Sequence, residues 1–288
     1  MNDYVIFTDS ACDIPVEKLN EWGVKRCCLT LNFVGSDTQY QDGVLPFHEF
    51  YDKMRGGAVS KTAAVNVATF AAAFEEEAAK GNDILYLGFS SGLSTTYNSG
   101  RLALAQVKEK YPEGNFIAVD TLAASAGFGL LVYLVAKKKE EGATITEAAA
   151  YAEQIKLHIC HWFTVDDLVY LKRGGRISGA AAFFGNALGI KPVMHVDNEG
   201  HLINVSKVHG RKTAIRTLAE KVGELAYDAA GGMIFVCNGD CQTDVDALEK
   251  FLQEKYGRGI DLVVYTGTVV GSHSGPGTLA IFFVGKER

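Results

Sequence analysis

The segment ILYLGFSSGLSTTY, residues 84–97, contains in order the signals of a strand, a turn and the beginning of a helix. Residues 84–89 form a short apolar run typical of a buried strand, and hydroxyl side chains dominate residues 90–97. Similar apolar runs at residues 5–8, 26–33 and 116–119 are separated by helix-like segments. Strands that alternate with helices favour a parallel sheet covered on both faces. The first half is therefore predicted to be a mostly parallel, three-layer α/β/α sheet.

The pattern changes in the second half of the chain. Two strand-like runs, residues 191–196 and 201–208, are joined by the turn-like sequence Asp197-Asn198-Glu199-Gly200, which predicts an antiparallel hairpin. Further helix-like or strand-like runs lie at residues 212–227, 233–236, 244–255, 261–265 and 279–284. We predict an α/β protein of two domains, residues 1–158 and 159–288, whose second sheet is mixed and largely antiparallel with helices.

Polar side chains follow two of the predicted parallel strands directly. Asp9 and Ser10 come after the first strand, and residues 90–94 come after residues 84–89. In open α/β sheets, ligands bind beyond the carboxyl ends of the strands. We expect the ligand site at this edge and between the two domains, because pockets form preferentially at domain interfaces.

Two segments with hydroxyl side chains, residues 60–62 and 90–97, stand just before helix-like runs. A helix N-terminus has unpaired N–H groups and the positive end of the helix dipole, so it attracts anions. Thr62 and Ser94 are therefore candidate donors to a carboxylate or phosphate. The alternative is that they only cap helices, as is also expected of Asp13.

A serine hydrolase is the main alternative function. Residues 88–92, GFSSG, match the G-x-S-x-G nucleophile elbow in the required place, after a strand and before a helix. Ser90 followed by Asp120 or Asp261 and then by His273 has the chain order of an α/β-hydrolase triad. No HGGG-like oxyanion segment precedes Ser90, however, and the parallel alternation does not continue.

The composition argues against several functions. The chain has 288 residues, 48% hydrophobic content and a formal net charge of −6, which disfavours a general nucleic-acid surface. Its longest strongly apolar run, residues 128–136, is well short of the ~20 residues of a membrane-spanning helix. We expect a cytoplasmic protein with no nucleic-acid partner and at most peripheral membrane contact.

Neither the cysteines nor the histidines have the spacing of a metal site. The six cysteines are too few for a disulfide scaffold, and the segments 237–241 and 158–161 lack paired C-x-x-C spacing. We expect reduced thiols, no metal and no cofactor.

Two glycine-rich segments carry further candidate residues. His273 lies in GSHSGPG, residues 271–277, which predicts a rigid loop, and the histidine is either a ligand contact or a buried structural residue. Arg173 and Arg176 flank two glycines in a predicted turn. Their guanidinium groups suit phosphate, and solvated surface charge is the alternative.

Taken together, these motifs resemble those of the DegV family. The motifs that carry the resemblance, in the order of the family, are residues 8–15, 60–62, 90–97, 120–127, 167–178 and 271–277. The match spans nearly the whole chain. It implies a two-domain α/β protein that binds a long-chain fatty acid between its domains.

The resemblance also implies the residues that bind the fatty acid. Those placed around its carboxylate are Thr62, Ser94, His273, Ser10, Ser91, Gly92 and Thr95. Apolar residues at 180–184 and Leu188 are candidates for the acyl-chain tunnel, with ordinary core as the alternative. Residues 63–67 and Thr95 depart from the family pattern.

Within this family, the chain resembles the fatty-acid-binding subunit of the bacterial fatty acid kinase, and this resemblance implies a partner protein. The resemblance gives Arg173 a role in docking an ATP-binding kinase subunit or in phosphoryl transfer to the carboxylate. No P-loop or kinase signature occurs in this chain, so ATP would come with that partner. The expected function is a carrier without catalysis of its own, whose bound acid becomes acyl phosphate for phospholipid synthesis.

Overall fold

The computed structural model describes residues 3–177 and 189–288. The strands of this part are β1 (Tyr4–Asp9), β2 (Val24–Cys27), β3 (Thr30–Phe33), β4 (Gln39–Gln41), β5 (Ser60–Ala63), β6 (Asp83–Gly88), β7 (Phe116–Asp120), β8 (Ile159–Thr164), β9 (Ile190–Val196), β10 (Leu202–His209), β11 (Ile234–Asn238), β12 (Leu262–Tyr265) and β13 (Leu279–Val284). The helices are α1 (Val16–Glu21), α2 (Phe47–Arg55), α3 (Val67–Ala78), α4 (Thr96–Lys110), α5 (Ser125–Glu140), α6 (Ile145–Ile155), α7 (Val169–Arg173), α8 (Arg211–Leu225), α9 (Gln242–Tyr256) and α10 (Thr268–Ser274). Single 3-10 turns cover Ser10–Cys12 and Lys156–His158.

The first sheet is parallel throughout, with the strand order β2-β1-β6-β7. Tyr86 of β6 packs against Phe70 and Phe74 of α3, with ring centroids 5.0 and 5.8 Å apart. The same ring lies so close to Gly100 of α4 that a Cβ there would collide with it. Helices α4 and α6 also pack on β6 and β7. The predicted α/β/α domain is therefore confirmed.

A small antiparallel sheet, β4-β3-β5, lies beside the first one. The prediction of a single strand over residues 26–33 was wrong, because β2 belongs to the parallel sheet and β3 to this small sheet. Between them the Leu29 N–H donates to Ser10 Oγ at 3.0 Å, and the Leu29 carbonyl accepts from the Asp42 N–H at 2.9 Å. These two hydrogen bonds fix Leu29 between β2 of the first sheet and β3 of the small sheet.

The second sheet has the strand order β10-β9-β8-β13-β11-β12, and only the β11–β12 pair is parallel. It is the mixed, largely antiparallel sheet that the sequence predicted. The predicted hairpin joins β9 to β10, with Leu202 opposite Val196. Gly200 has a φ of +80°, a conformation that suits glycine, in this turn.

Helix α5 lies between the 3-10 turn that follows β1 and the second sheet. It contacts α6 and also β8, β11 and β13 of the second sheet, and Phe128 and Leu131 within it are fully buried. The apolar run at residues 128–136 is thus the centre of the fold. Among the residues described, no helix combines the length and apolar character needed to cross a bilayer. Strand β8 begins at Ile159, and the domain division after residue 158 stays a prediction.

Candidate functional site

A cavity of about 430 Å³ lies between the N-terminal loops and one face of the second sheet. The first half of the chain lines it with residues such as Leu29, Thr62, Phe89, Leu93 and Ser94, which lie on β5 and in the segments after β2 and β6. The second half contributes the inner face of its sheet and helix α10, with residues such as Phe163, Val196, Phe282, Val269 and His273. The cavity therefore depends on both halves of the chain.

The turn after β6 is held in place by a buried carboxylate. Asp9, at the end of β1, accepts hydrogen bonds from the Phe89 N–H at 2.9 Å, Tyr86 OH at 3.1 Å and the Ala11 N–H at 3.2 Å. Burial raises the pKa of Asp9 to about 7, although these hydrogen bonds oppose the shift. Asp9 does not line the cavity, contrary to the prediction for the crevice. It fixes the ends of two neighbouring strands relative to each other.

Ser94 and Thr95 lie just before α4 and line the cavity. The Ser94 hydroxyl accepts a hydrogen bond from the Thr96 N–H at 3.2 Å and lies 2.9 Å from Thr96 Oγ1. Ser94 thus both satisfies a helix N-terminus and borders the cavity. The two predicted roles, capping and ligand contact, are compatible at this position, since a hydroxyl has two acceptor lone pairs and one donor hydrogen.

Thr62 lies on a strand, so the prediction that it precedes a helix was wrong. Residues Ser60–Ala63 form β5, in which Thr62 pairs with Leu31, and the next helix begins at Val67 after its N-cap Asn66. Thr62 nevertheless lines the cavity. Its Oγ1 lies 2.8 Å from Nε2 of His273, which joins the two halves of the chain at this point.

His273 lies in helix α10, which corrects the prediction of a loop. Burial lowers its pKa to about 4, and the nearby positive charge of Arg176 adds to the effect. The imidazole of this structure is therefore neutral at pH 7. Its Nδ1 has no hydrogen-bond partner among the described residues and faces Gly174, where a Cβ would collide with it. The ring occupies a narrow slot between Thr62 and Gly174.

Arg176, rather than Arg173, borders the cavity. Arg176 is half-buried, donates from Nε to the Leu93 carbonyl at 3.1 Å and from Nη1 to the Gly174 carbonyl, and has its pKa lowered by burial. Arg173 is exposed, and its guanidinium carbon lies 5.6 Å from the centre of the Tyr170 ring. The sequence placed both arginines in one turn but did not show which of them faces inward.

The other residues named from the sequence divide into two groups. Ser91 and Thr95 line the cavity. Ser10 and Gly92 are not among its lining residues. Ser10 Oγ accepts from the Leu29 N–H, and Gly92 packs against the β9–β10 turn, where a Cβ would come within 2.9 Å of the Glu199 carbonyl oxygen. The structure therefore gives Ser10 and Gly92 supporting positions behind the lining.

The geometry of a hydrolase triad is absent from the residues that the structure describes. Ser90 is fully buried and donates to the Gly200 carbonyl at 2.9 Å, so its hydroxyl holds the β9–β10 turn. The Nε2 of His273 is hydrogen-bonded to Thr62 instead. An oxygen of Asp120 accepts from two backbone N–H groups. The esterase alternative thus lacks a paired nucleophile and base.

A second polar cluster in the cavity wall was not foreseen from the sequence. Ser125 lies 2.5 Å from Asp13 Oδ2 and 3.1 Å from Cys237 Sγ, and Thr266 Oγ1 lies 3.2 Å from the same sulfur. Ser125, Cys237 and Thr266 line the cavity. Asp13 does not cap α1, whose N-cap is Pro15, and burial raises its pKa well above the usual value. No sequence signal could have paired residues so far apart in the chain.

Two sets of sequence candidates remain. The apolar residues at 180–184 and Leu188 lie outside the described residues. Across residues 3–177 and 189–288, all six cysteines are free thiols and no cluster of three or more metal-ligating side chains is found.

The whole chain is similar to known proteins. A family model described as an uncharacterised protein of the DegV family matches residues 3–286. A DegV domain-containing protein of Clostridium perfringens is 42% identical over 100% of this chain and 99% of its own length. One of Streptococcus pyogenes is 36% identical over 99% of both chains.

Solved structures with the same fold include fatty-acid-binding proteins. A fatty-acid-binding DegV family protein from Thermus thermophilus is 30% identical, with a TM-score of 0.85 over 98% of this chain and 99% of its own. A stearic acid-binding protein from Eubacterium ventriosum is 26% identical, with a TM-score of 0.87 over 98% of each chain. A fatty acid binding DegV family protein from Streptococcus agalactiae is 26% identical, with a TM-score of 0.86 over 100% of each chain. With its two-domain fold and a family match from end to end, this chain belongs to the DegV family.

Proposed function

We propose that the protein binds one long-chain fatty acid in the cavity between its halves, with the carboxylate at Thr62, Ser94 and His273. The observation that carries the proposal is the uneven distribution of polar groups. Hydroxyls, an imidazole and a guanidinium meet where Thr62 contacts His273 and Arg176 binds Leu93, whereas the sheet face bears side chains such as Phe163 and Phe282. A fatty acid has the same division between head and tail.

The energetics favour such a ligand. Burying a methylene contributes about 0.8 kcal/mol, so a chain of roughly fifteen methylenes contributes on the order of 12 kcal/mol before the costs of ordering. The buried carboxylate must recover the hydrogen bonds that it loses to water. Solved relatives that bind fatty acids, from Thermus thermophilus and Eubacterium ventriosum, support the same ligand class.

The hydrogen bond between Thr62 and His273 defines how the carboxylate is held. In the proposal the neutral imidazole is protonated at Nε2 and donates to Thr62 Oγ1, 2.8 Å away, so the threonine hydrogen stays free for a ligand oxygen. Ser94 adds a second hydroxyl, and Ser91 and Thr95 complete this side of the cavity. Arg176 contributes a positive charge to the lining that offsets the negative charge of the carboxylate. Ser10 and Gly92 act from behind, by holding Leu29 and the β9–β10 turn.

Arg173 has a different part in the proposal. Its exposed guanidinium forms no ion pair or hydrogen bond with any residue of the described ranges, and it stands one residue from the Gly174 that faces His273. In the proposal Arg173 meets an ATP-binding kinase subunit, which would convert the bound acid to acyl phosphate for phospholipid synthesis. The chain itself would then be a carrier without catalysis. In the proposal its two domains are residues 1–158 and 159–288.

The first test is the ligand itself. Native mass spectrometry of protein purified from bacteria, followed by solvent extraction, is expected to show one long-chain fatty acid per chain. Empty protein that also fails to take up added palmitate or oleate would overturn the proposal.

The second test separates binding from transfer. Arg173→Ala is expected to bind fatty acid almost normally and to lose phosphorylation by the kinase subunit of the same organism. Lys172→Ala, which removes the neighbouring exposed cation, is the matched control. Unchanged phosphorylation in Arg173→Ala would remove Arg173 from the proposal without affecting the ligand.

A further inference from the structure

Helix α10, which carries His273, lacks an N-cap side chain of its own. The residue at its N-cap is Gly267. The first donors of the helix are bound instead by a distant residue: Asp42 Oδ1 accepts from Thr268 Oγ1 at 2.8 Å and from the Val269 N–H at 3.1 Å. Asp42 therefore caps α10 from the other half of the chain.

Asp42 is itself held firmly. Its side chain is buried, and its N–H donates to the Leu29 carbonyl, while the Leu29 N–H donates to Ser10 Oγ. Burial raises the pKa of Asp42, and the hydrogen bonds from Thr268 and Val269 oppose that shift. A continuous chain of contacts thus leads from Ser10 at the end of β1 to the start of α10.

The position of the imidazole depends on where α10 lies. The helix is seven residues long, so His273 is little more than one turn from the donors that Asp42 binds. At its middle, Gly271 lies against the Tyr51 hydroxyl, with no room for a Cβ. At its far end the ring fits between Thr62 at 2.8 Å and Gly174. A rotation of α10 by a fraction of a turn would break the contact with Thr62.

We propose that Asp42 is a positioning residue for the fatty-acid site, which acts through α10 to keep His273 in contact with Thr62. This inference rests on the proposed function. It also gives a role to Ser10, which supports the Leu29–Asp42 segment and does not touch the ligand.

A double-mutant cycle with palmitate as the probe tests the inference. Asp42→Ala and His273→Ala are each expected to weaken palmitate binding about tenfold, the effect of one lost hydrogen bond of roughly 1.4 kcal/mol. The double variant is expected to bind no more weakly than His273→Ala, because both changes remove the same contact. Asp42→Asn keeps an acceptor oxygen for Thr268 and Val269 and is expected to restore binding. Additive losses would overturn the inference.

A second measurement separates this inference from the proposed function. In ¹⁵N NMR spectra of the ligand-free protein, the His273 ring is expected to be protonated at Nε2 in the wild type and in Asp42→Asn, and to become a mixture of tautomers in Asp42→Ala. Thr268→Val, which removes one of the two bonds to Asp42, serves if Asp42→Ala does not fold. If the wild type fails to bind palmitate, the proposed function is wrong. The tautomer of His273 in the ligand-free protein still shows whether Asp42 positions the imidazole. An unchanged tautomer in Asp42→Ala, or in its substitute Thr268→Val, would refute the positioning role.

Discussion

The two walls of the cavity are built differently. The N-terminal wall consists of short segments, β5 and the loops after β2 and β6, which present hydroxyls and backbone around Thr62 and Ser94. The C-terminal wall is a sheet face of side chains such as Phe163 and Phe282, with α10 and the turn after α7 at one end. At that end of the cavity the hydroxyls of one half meet His273 and Arg176 of the other. In the proposed function the sheet face holds the acyl chain, and the carboxylate lies where the two halves of the chain meet.

The largest expected effect comes from filling the sheet wall. Ala280 of β13 lines the cavity and is almost fully buried. Ala280→Phe would place a ring in the space of the acyl chain, so we expect palmitate binding to weaken by at least about a thousandfold, or roughly 4 kcal/mol. Isothermal titration calorimetry measures the loss, and Ala280→Ser, which leaves the space open, is the control. Normal binding by Ala280→Phe would place the acyl chain elsewhere.

The next effect concerns the hydroxyls of the N-terminal wall. Thr62→Val and Ser94→Ala each leave a buried carboxylate short of one donor, which costs roughly 1–3 kcal/mol of binding free energy per donor. The double variant should therefore release fatty acid much more readily than the wild type. Equilibrium binding of palmitate to all three variants measures this. Full affinity in the double variant would show that the carboxylate binds at another part of the cavity.

The imidazole of the C-terminal wall is expected to affect the folding of the protein rather than only ligand binding, through a pH dependence of the unfolding free energy. Because the pKa of His273 falls from 6.5 to about 4 on folding, its neutral form stabilises the protein above pH 6.5. As the pH falls from 6.5 to 4, the unfolded state takes up the proton first, and roughly 3 kcal/mol of unfolding free energy is lost.

Urea unfolding of the wild type and His273→Gln measures this contribution. Glutamine does not titrate, so the stability of the wild type relative to His273→Gln should decrease between about pH 7 and pH 4.5. Titration of all other groups is common to both proteins and cancels in the difference. A difference that does not change with pH would contradict a neutral, buried His273.

The smallest expected effect is at Ser90, which holds the two walls together through Gly200. A fluorophosphonate probe should leave this buried hydroxyl unmodified, and ester substrates should not be hydrolysed. Labelling of Ser90 in the intact protein, with ester turnover that disappears in Ser90→Ala, would favour the hydrolase instead.

Local signals were sufficient where the chain makes contacts with its near neighbours. Residues 84–97 form β6, the turn and the start of α4, and the 197–200 turn joins β9 to β10. They failed where the partner is distant. Residues 26–33 have one apolar pattern but contribute to two sheets, and residues 60–62 form a strand because β3 is available to pair with them. Periodicity contains no information about such partners.

The sequence by itself determined the fold class, the family and most of the side chains at the proposed carboxylate site, because these depend on local patterns and on short sequence motifs. Only the tertiary structure decided which of them meet. It placed His273 in a helix against Thr62, turned Arg176 rather than Arg173 toward the cavity, and moved Ser10 behind the lining. The physical reason is that burial and hydrogen bonding are properties of pairs of groups, and the residues of these pairs lie far apart in the chain.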